Sequence, residues 1–153
     1  MRSMKLFQLA VLFLSVAGLL AGASATAGEP SRDSVRVVVS ADLVPTPTSD
    51  EPNASGVAKL QGGLVWSEWV GYVVTGDLTV TCRGLRPFET YRTDVYSGLL
   101  YFTADATGKG MAKKRDSGFF VEWTVVVERQ VIHEDGSVGF VPVLQGTINA
   151  LVP

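Results

Sequence analysis

Hydrophobic and polar positions alternate with a period of two along most of this chain. Val35, Val37, Val39, Ala41 and Leu43 alternate with Arg36, Ser40 and Asp42. That is the pattern of a half-buried strand, whose successive side chains point to opposite faces. Ala58 and Leu60 mark a weaker strand over Gly56 to Gln61. Tyr72, Val74, Gly76, Leu78, Val80 and Cys82 form the longest apolar stripe, opposite Thr75, Asp77, Thr79, Thr81 and Arg83. Gly76-Asp77 inside it is placed for a bulge or tight turn. Further strands are expected at Tyr91-Thr93-Val95, at Leu100-Phe102-Ala104, and along the run Phe119, Val121, Trp123, Val125, Val127. A last strand region carries Val138, Phe140, Leu144, Ile148 and Ala150 on one face, with Pro142 at an edge or bulge. Asp105 to Gly108 and Glu134-Asp135-Gly136 read as hairpin turns. The first of them turns the chain into Lys109 to Lys113 as a hairpin, and the basic run Lys113-Lys114-Arg115 is expected in the connection from that hairpin to the next strand.

No 3.6-residue apolar period persists anywhere after the first 27 residues. Turn signals recur at intervals of about 8–12 residues, which points to a sandwich or barrel of seven to nine strands. Uneven strand lengths and aliphatic core faces favour the sandwich. The fold expected for residues 34–153 is therefore all-β: a single antiparallel β-sandwich of immunoglobulin-like or Greek-key type. Val44 to Ser55, with Pro45, Pro47 and Pro52, reads as a loop within it.

The first 27 residues follow a different rule. Arg2 and Lys5 precede an apolar run from Leu6 to Leu20, and the small residues Ala21 to Ala27 follow it. This is the order of a cleavable secretory signal. Ala23-Ser24-Ala25 and Ala25-Thr26-Ala27 both suit a signal peptidase, and cleavage after Ala27 is favoured. Residues 1–27 are thus expected to be a signal peptide and 28–33 a polar lead-in. The expected location is secreted or periplasmic, with no stable membrane insertion after cleavage. The alternative is a domain anchored by the uncleaved apolar run, which is long enough to span a bilayer. A lipid-anchored cleavage site would need a cysteine there, and the one cysteine is Cys82.

Composition narrows the partners. The chain has 13 basic and 15 acidic residues; without Arg2 and Lys5 the balance is 11 to 15, a net charge of −4. Nucleic acid, whose phosphates require a basic face, is not an expected partner. One cysteine allows no internal disulfide, so the core alone must hold the fold.

Leu85-Arg86-Pro87-Phe88-Glu89-Thr90-Tyr91 has a Leu-x-Pro-x-x-x-Tyr spacing. It resembles the corner of fibronectin type III and related immunoglobulin-like sandwiches, in which the Tyr hydroxyl bonds to backbone upstream and fastens a Greek-key crossing. The resemblance implies a structural role for Tyr91. Phe88 stands where that family often has Gly. A fainter likeness, from Arg36 to Leu60, is to the opening of secreted chordin-type domains. Those carry a His-x-His element later, and this chain has one histidine.

Residues able to carry chemistry are few and scattered. Cys82 lies on a strand's apolar face and is expected to be a buried hydrophobe, or else half of an intermolecular disulfide. His133 sits beside an acidic turn, with no Gly-x-Ser-x-Gly elbow anywhere. One histidine and one cysteine make no zinc set, and neither acidic turn has the spacing of a calcium loop; no metal or cofactor is expected. Glu122 and Glu128 stand about 20 Å apart along one strand, too far for a glycosidase pair. Aromatic residues offer the binding candidates: Trp66 and Trp69, on opposite faces of a strand or with one of them in a loop, and Tyr96 and Tyr101 near Arg92. Trp123 is expected in the core. The leading expectation is a non-catalytic secreted module that binds a protein or glycan or serves as an envelope component. Its rivals are a small extracytoplasmic hydrolase using carboxylates gathered by the fold, and a protein that assembles covalently or through an edge strand.

Overall fold

The computed structural model describes residues 35–95 and 98–151. The expected signal peptide, the lead-in and Tyr96 lie outside them. The described residues form eight strands: β1 (Val35–Pro45), β2 (Ser55–Ser67), β3 (Gly71–Arg83), β4 (Thr90–Val95), β5 (Gly98–Thr103), β6 (Gly110–Phe120), β7 (Glu122–Ile132) and β8 (Val138–Asn149). All pairings are antiparallel, in the order β5-β4-β7-β8-β1-β2-β3-β6. The sheet is rolled until it nearly closes into a barrel.

Two joints roll it. β1 pairs with β2 from Val35 to Leu43, then passes to β8 at Val44 and Pro45. Gly146 permits that hand-over, because a Cβ there would collide with the Asp42 carbonyl. The second joint is Val121, where β6 on the β3 side becomes β7 on the β4 side. The run from Phe119 to Val127 is therefore two strands with a corner, although its inward stripe continues: Phe119, Val125 and Val127 are fully buried. The seam between β5 and β6 is covered at one end by the β3–β4 loop. There Leu85 N–H donates to Gly108 O, Phe88 N–H to Ala104 O, and Ala104 N–H to Glu89 O.

The core is the inward stripe of each strand. Leu43, Ala58, Leu60, Val74, Leu78, Val80, Cys82, Tyr91, Val95, Leu144 and Ile148 are all buried. Burying one such aliphatic side chain contributes about 1.5–3 kcal/mol. The irregularity expected at Gly76-Asp77 is present, as a register shift between Gly76 and Leu78. Gly76 also faces Gly62, so that the two backbones approach where a Cβ on either would clash.

Three local expectations change. Lys113-Lys114-Arg115 lies within β6 and not in a connection. Trp69 belongs to the turn between β2 and β3, so it does not share a strand with Trp66. In β8, Glu128 pairs with Pro142 and Val127 with Leu144, leaving Val143 as a bulge. A bulge residue reverses the side-chain alternation that follows it. Val138 and Phe140 consequently face outward, while Leu144 and Ile148 face the core.

Candidate functional site

Because every pairing is antiparallel, alternate connections fall at opposite ends of the rolled sheet, and the two ends differ in chemistry. One end carries the β1–β2 loop, the β3–β4 loop and the Asp105–Lys109 and His133–Ser137 turns. It holds Asp50, Glu51, Arg86, Glu89, Asp105, Lys109, Glu134 and Asp135. The other end receives the start of β1 and carries the β2–β3 hairpin tip, the Val121 corner and the exit from β8. Its exposed side chains include Val35, Val65, Trp66, Trp69, Val70, Tyr72, Leu99 and Leu151.

The β2–β3 tip is the largest departure from ordinary burial. β2 and β3 pair out to Ser67 and Gly71, past the last described pairings with β1 at Val35 and with β6 at Phe120. The stripe of Leu60 and Leu64 runs on to Trp66, which the described residues leave largely uncovered. Trp66 is 62% exposed and packs edge-on against its cross-strand partner Tyr72, with ring centroids 4.9 Å apart. On the other face Val65 is exposed too. Trp69, in the turn, is 94% exposed, and its N–H donates to Ser67 Oγ at 3.3 Å.

Arg92 and Tyr101 meet across β4 and β5 on the outer face of the other half of the sheet. Arg92 Nε donates to Glu128 at 2.6 Å, and its guanidinium lies 3.6 Å from the centre of the Phe140 ring. Tyr101 stands edge-on to the same ring at 6.3 Å. The Glu128 hydrogen bond, with a smaller contribution from Tyr101, holds Arg92 in its charged form. The Val143 bulge brings Phe140 to this face. Arg92 is held within the cluster by Glu128 and Phe140, and this face is separate from the hairpin tip. The structure brings Arg92 together with Tyr101, and Trp66 close to Trp69, without joining the pairs.

A buried ionic clamp closes the charged end. Glu51, 3% exposed, accepts Arg129 Nη1 at 2.7 Å and the Tyr91 hydroxyl at 3.0 Å. Arg129 also reaches Asp50 at 3.0 Å, and Arg86 reaches Asp50 at 2.7 Å. The Arg86 N–H donates to the Tyr91 hydroxyl at 2.9 Å, so this ring ties the crossing from β3 to β4. The Arg129 hydrogen bond holds the Asp50 carboxyl below its ordinary range. Burial, and then the Glu51 charge, push the Tyr91 phenol well above its ordinary value. Burial opposes the charge on Arg129, but Asp50 and Glu51 outweigh it. Asp50, Tyr91 and Arg129 are thus all held away from proton exchange near neutral pH, which suits a structural pin and not acid–base chemistry.

The remaining chemistry-bearing residues are satisfied locally. Asp105 accepts from the N–H groups of Thr107 and Lys109 and from the Thr107 hydroxyl. Asp135 accepts from both the N–H and the hydroxyl of Ser137, so that serine is not aimed at His133. Cys82 is buried and free, its thiol pushed by burial to about 12. Trp123 is half-buried against the core, stacked on Phe119 at 5.6 Å. No group of three or more metal-ligating side chains occurs among the described residues.

No family model matches this chain, and no curated protein or solved structure shows significant similarity to it.

Sequence reasoning missed Tyr72 as an exposed residue, Phe140 as the partner of Arg92, and the Glu51–Arg129 pair. A signal for the last existed: Arg129 continues the odd-numbered stripe of Val125 and Val127, which places a charge on a core-facing position. Nothing in the spacing marks Glu51 as its partner, since the two are 78 residues apart.

Proposed function

We propose that this chain is a secreted or periplasmic, non-catalytic module that binds through the β2–β3 hairpin tip. The observation that carries the reading is the pair Trp66 and Trp69, held out to solvent on a paired hairpin. Exposed indoles have large apolar area and lose little conformational freedom on binding, so they serve as anchors. The immunoglobulin-like reading of the fold belongs to the same proposal. Its support is the Tyr91 corner at the crossing from β3 to β4, with the halves β1-β2-β3-β6 and β8-β7-β4-β5 as facing leaves. The secreted location rests on the Arg2–Ala27 pattern, and the partner is to be sought among proteins, glycans and the envelope itself.

The test compares exported wild-type protein with the Trp66→Ala/Trp69→Ala variant, fractionating cells into envelope and soluble pools. The wild type is expected to have an intact mass starting at Gly28 and to be held by an envelope component, with the variant released at unchanged thermal stability. Equal distribution of the two proteins would remove the tip from the function. A chain still carrying Met1 would replace the secreted module by an anchored one.

A further inference from the structure

We infer that the partner of the β2–β3 tip is a lipid surface: the tip docks peripherally at the boundary between headgroups and acyl chains. This rests on the proposal that the tip is the binding element. Two observations select lipid over a protein groove or a sugar.

The first is that the tip is apolar on both faces. Trp66 and Tyr72 lie on one face of the hairpin and Val65 on the other, with Trp69 and Val70 in the turn, all exposed. A protein groove or a flat docking surface covers one face of a hairpin and leaves the other wet. A bilayer boundary surrounds a projecting hairpin on every side.

The second is the absence of polar readout. The turn's polar side chains are Ser67, which accepts the Trp69 N–H, and Glu68. A sugar stacked on an indole needs neighbouring donors and acceptors to orient it. Tryptophan and tyrosine by themselves match the headgroup boundary, where an apolar ring with one polar atom is best solvated.

Charge sets the kind of lipid. Glu68, Asp94 and Glu122 are exposed at this end, whereas Arg36 stands beside Gly63, three residues or roughly 10 Å below Trp66. This balance gives no attraction to anionic headgroups. Docking is expected to depend on the aromatic side chains and to be insensitive to salt, and Glu68 at the turn limits it to the boundary region.

The experiment uses purified exported protein with vesicles of phosphatidylcholine, and of phosphatidylcholine doped with phosphatidylglycerol. The readouts are co-sedimentation and tryptophan emission, to which Trp66 and Trp69 contribute as the exposed indoles. Expected are a blue-shifted emission and sedimentation with both vesicles, without enhancement by phosphatidylglycerol. Trp66→Ala/Trp69→Ala should weaken partitioning about tenfold or more, since binding scales with the apolar area buried. Glu68→Gln should strengthen it, and Tyr101→Ala, on the separate outer face, should leave it unchanged. Lack of wild-type binding to either vesicle, or partitioning that the double variant leaves intact, overturns the lipid inference. If the double variant instead abolishes a concentration-dependent dimer or a glycan-array signal, the lipid inference fails while the binding-tip reading stands. If it changes no interaction at all, both fall.

Discussion

The two ends of the rolled sheet deal with their unusual side chains in opposite ways. At the charged end, Glu51 and Arg129 are taken out of water and satisfied by one another, by Tyr91 and by Asp50. At the aromatic end, Trp66, Trp69 and Tyr72 are kept in water with little to cover them. Removing two charges from water costs several kcal/mol per ion, which only good geometry offsets. Leaving indoles exposed forgoes the burial energy that a core position would provide. The contrast separates the parts of the molecule: changes at the clamp should act on stability, and changes at the tip on binding.

The sharpest way to break this comparison is Arg129→Met. It leaves Glu51 buried without its main partner and should lower stability by about 3–5 kcal/mol, read by urea unfolding. The double variant Glu51→Leu/Arg129→Met should recover most of that loss, because no charge is then left buried. A single variant as stable as wild type would mean that the clamp is solvated and the contrast false. Tyr91→Phe comes next, at about 1–3 kcal/mol, since the Arg86 N–H and Glu51 both lose their hydroxyl partner.

A smaller effect of opposite sign is expected at Phe88. Its φ of 62° lies in the left-handed region, and its ring is exposed. Phe88→Gly should therefore stabilise by about 0.5–1 kcal/mol, relief of strain exceeding the glycine's extra chain entropy; Phe88→Ala should give no such gain. Chemical denaturation of the three proteins side by side decides it.

Asp50 adds a pH test. Its folded pKa lies below the ordinary 3.8, so its contribution is present above that value and is lost as pH falls through the folded pKa. The stability gap between wild type and Asp50→Asn should be constant near neutrality and close below about pH 4. A gap that persists in acid would assign the Asn effect to something other than charge. The smallest stability effect belongs to the tip: Trp69→Ala should change unfolding free energy by less than about 0.5 kcal/mol, as for other exposed sites. A large loss there would make Trp69 part of the core's support and erase the distinction between the ends.

The strands themselves were legible because period two is a local property. The stripes of β1, β3 and β4 appear in the alternation, and so does the irregularity at Gly76. Misreadings arose where one residue alters the phase or direction of the chain. Val143 as a bulge turned Phe140 outward, and Val121 as a corner split one apparent strand into two. Neither is visible in composition, because either residue type is at home in an ordinary strand.

The sequence alone determined that the described residues are all-β with a periodically patterned core. Tertiary structure decided which charges meet and which aromatics stay bare. Glu51 and Arg129 come together only because the sheet rolls and brings the β1–β2 loop over β7. Trp66 and Tyr72 lie where the β2–β3 pairing continues past the last described pairings with β1 and β6. Both outcomes depend on long-range register and strand length, which are set by packing across the whole sheet.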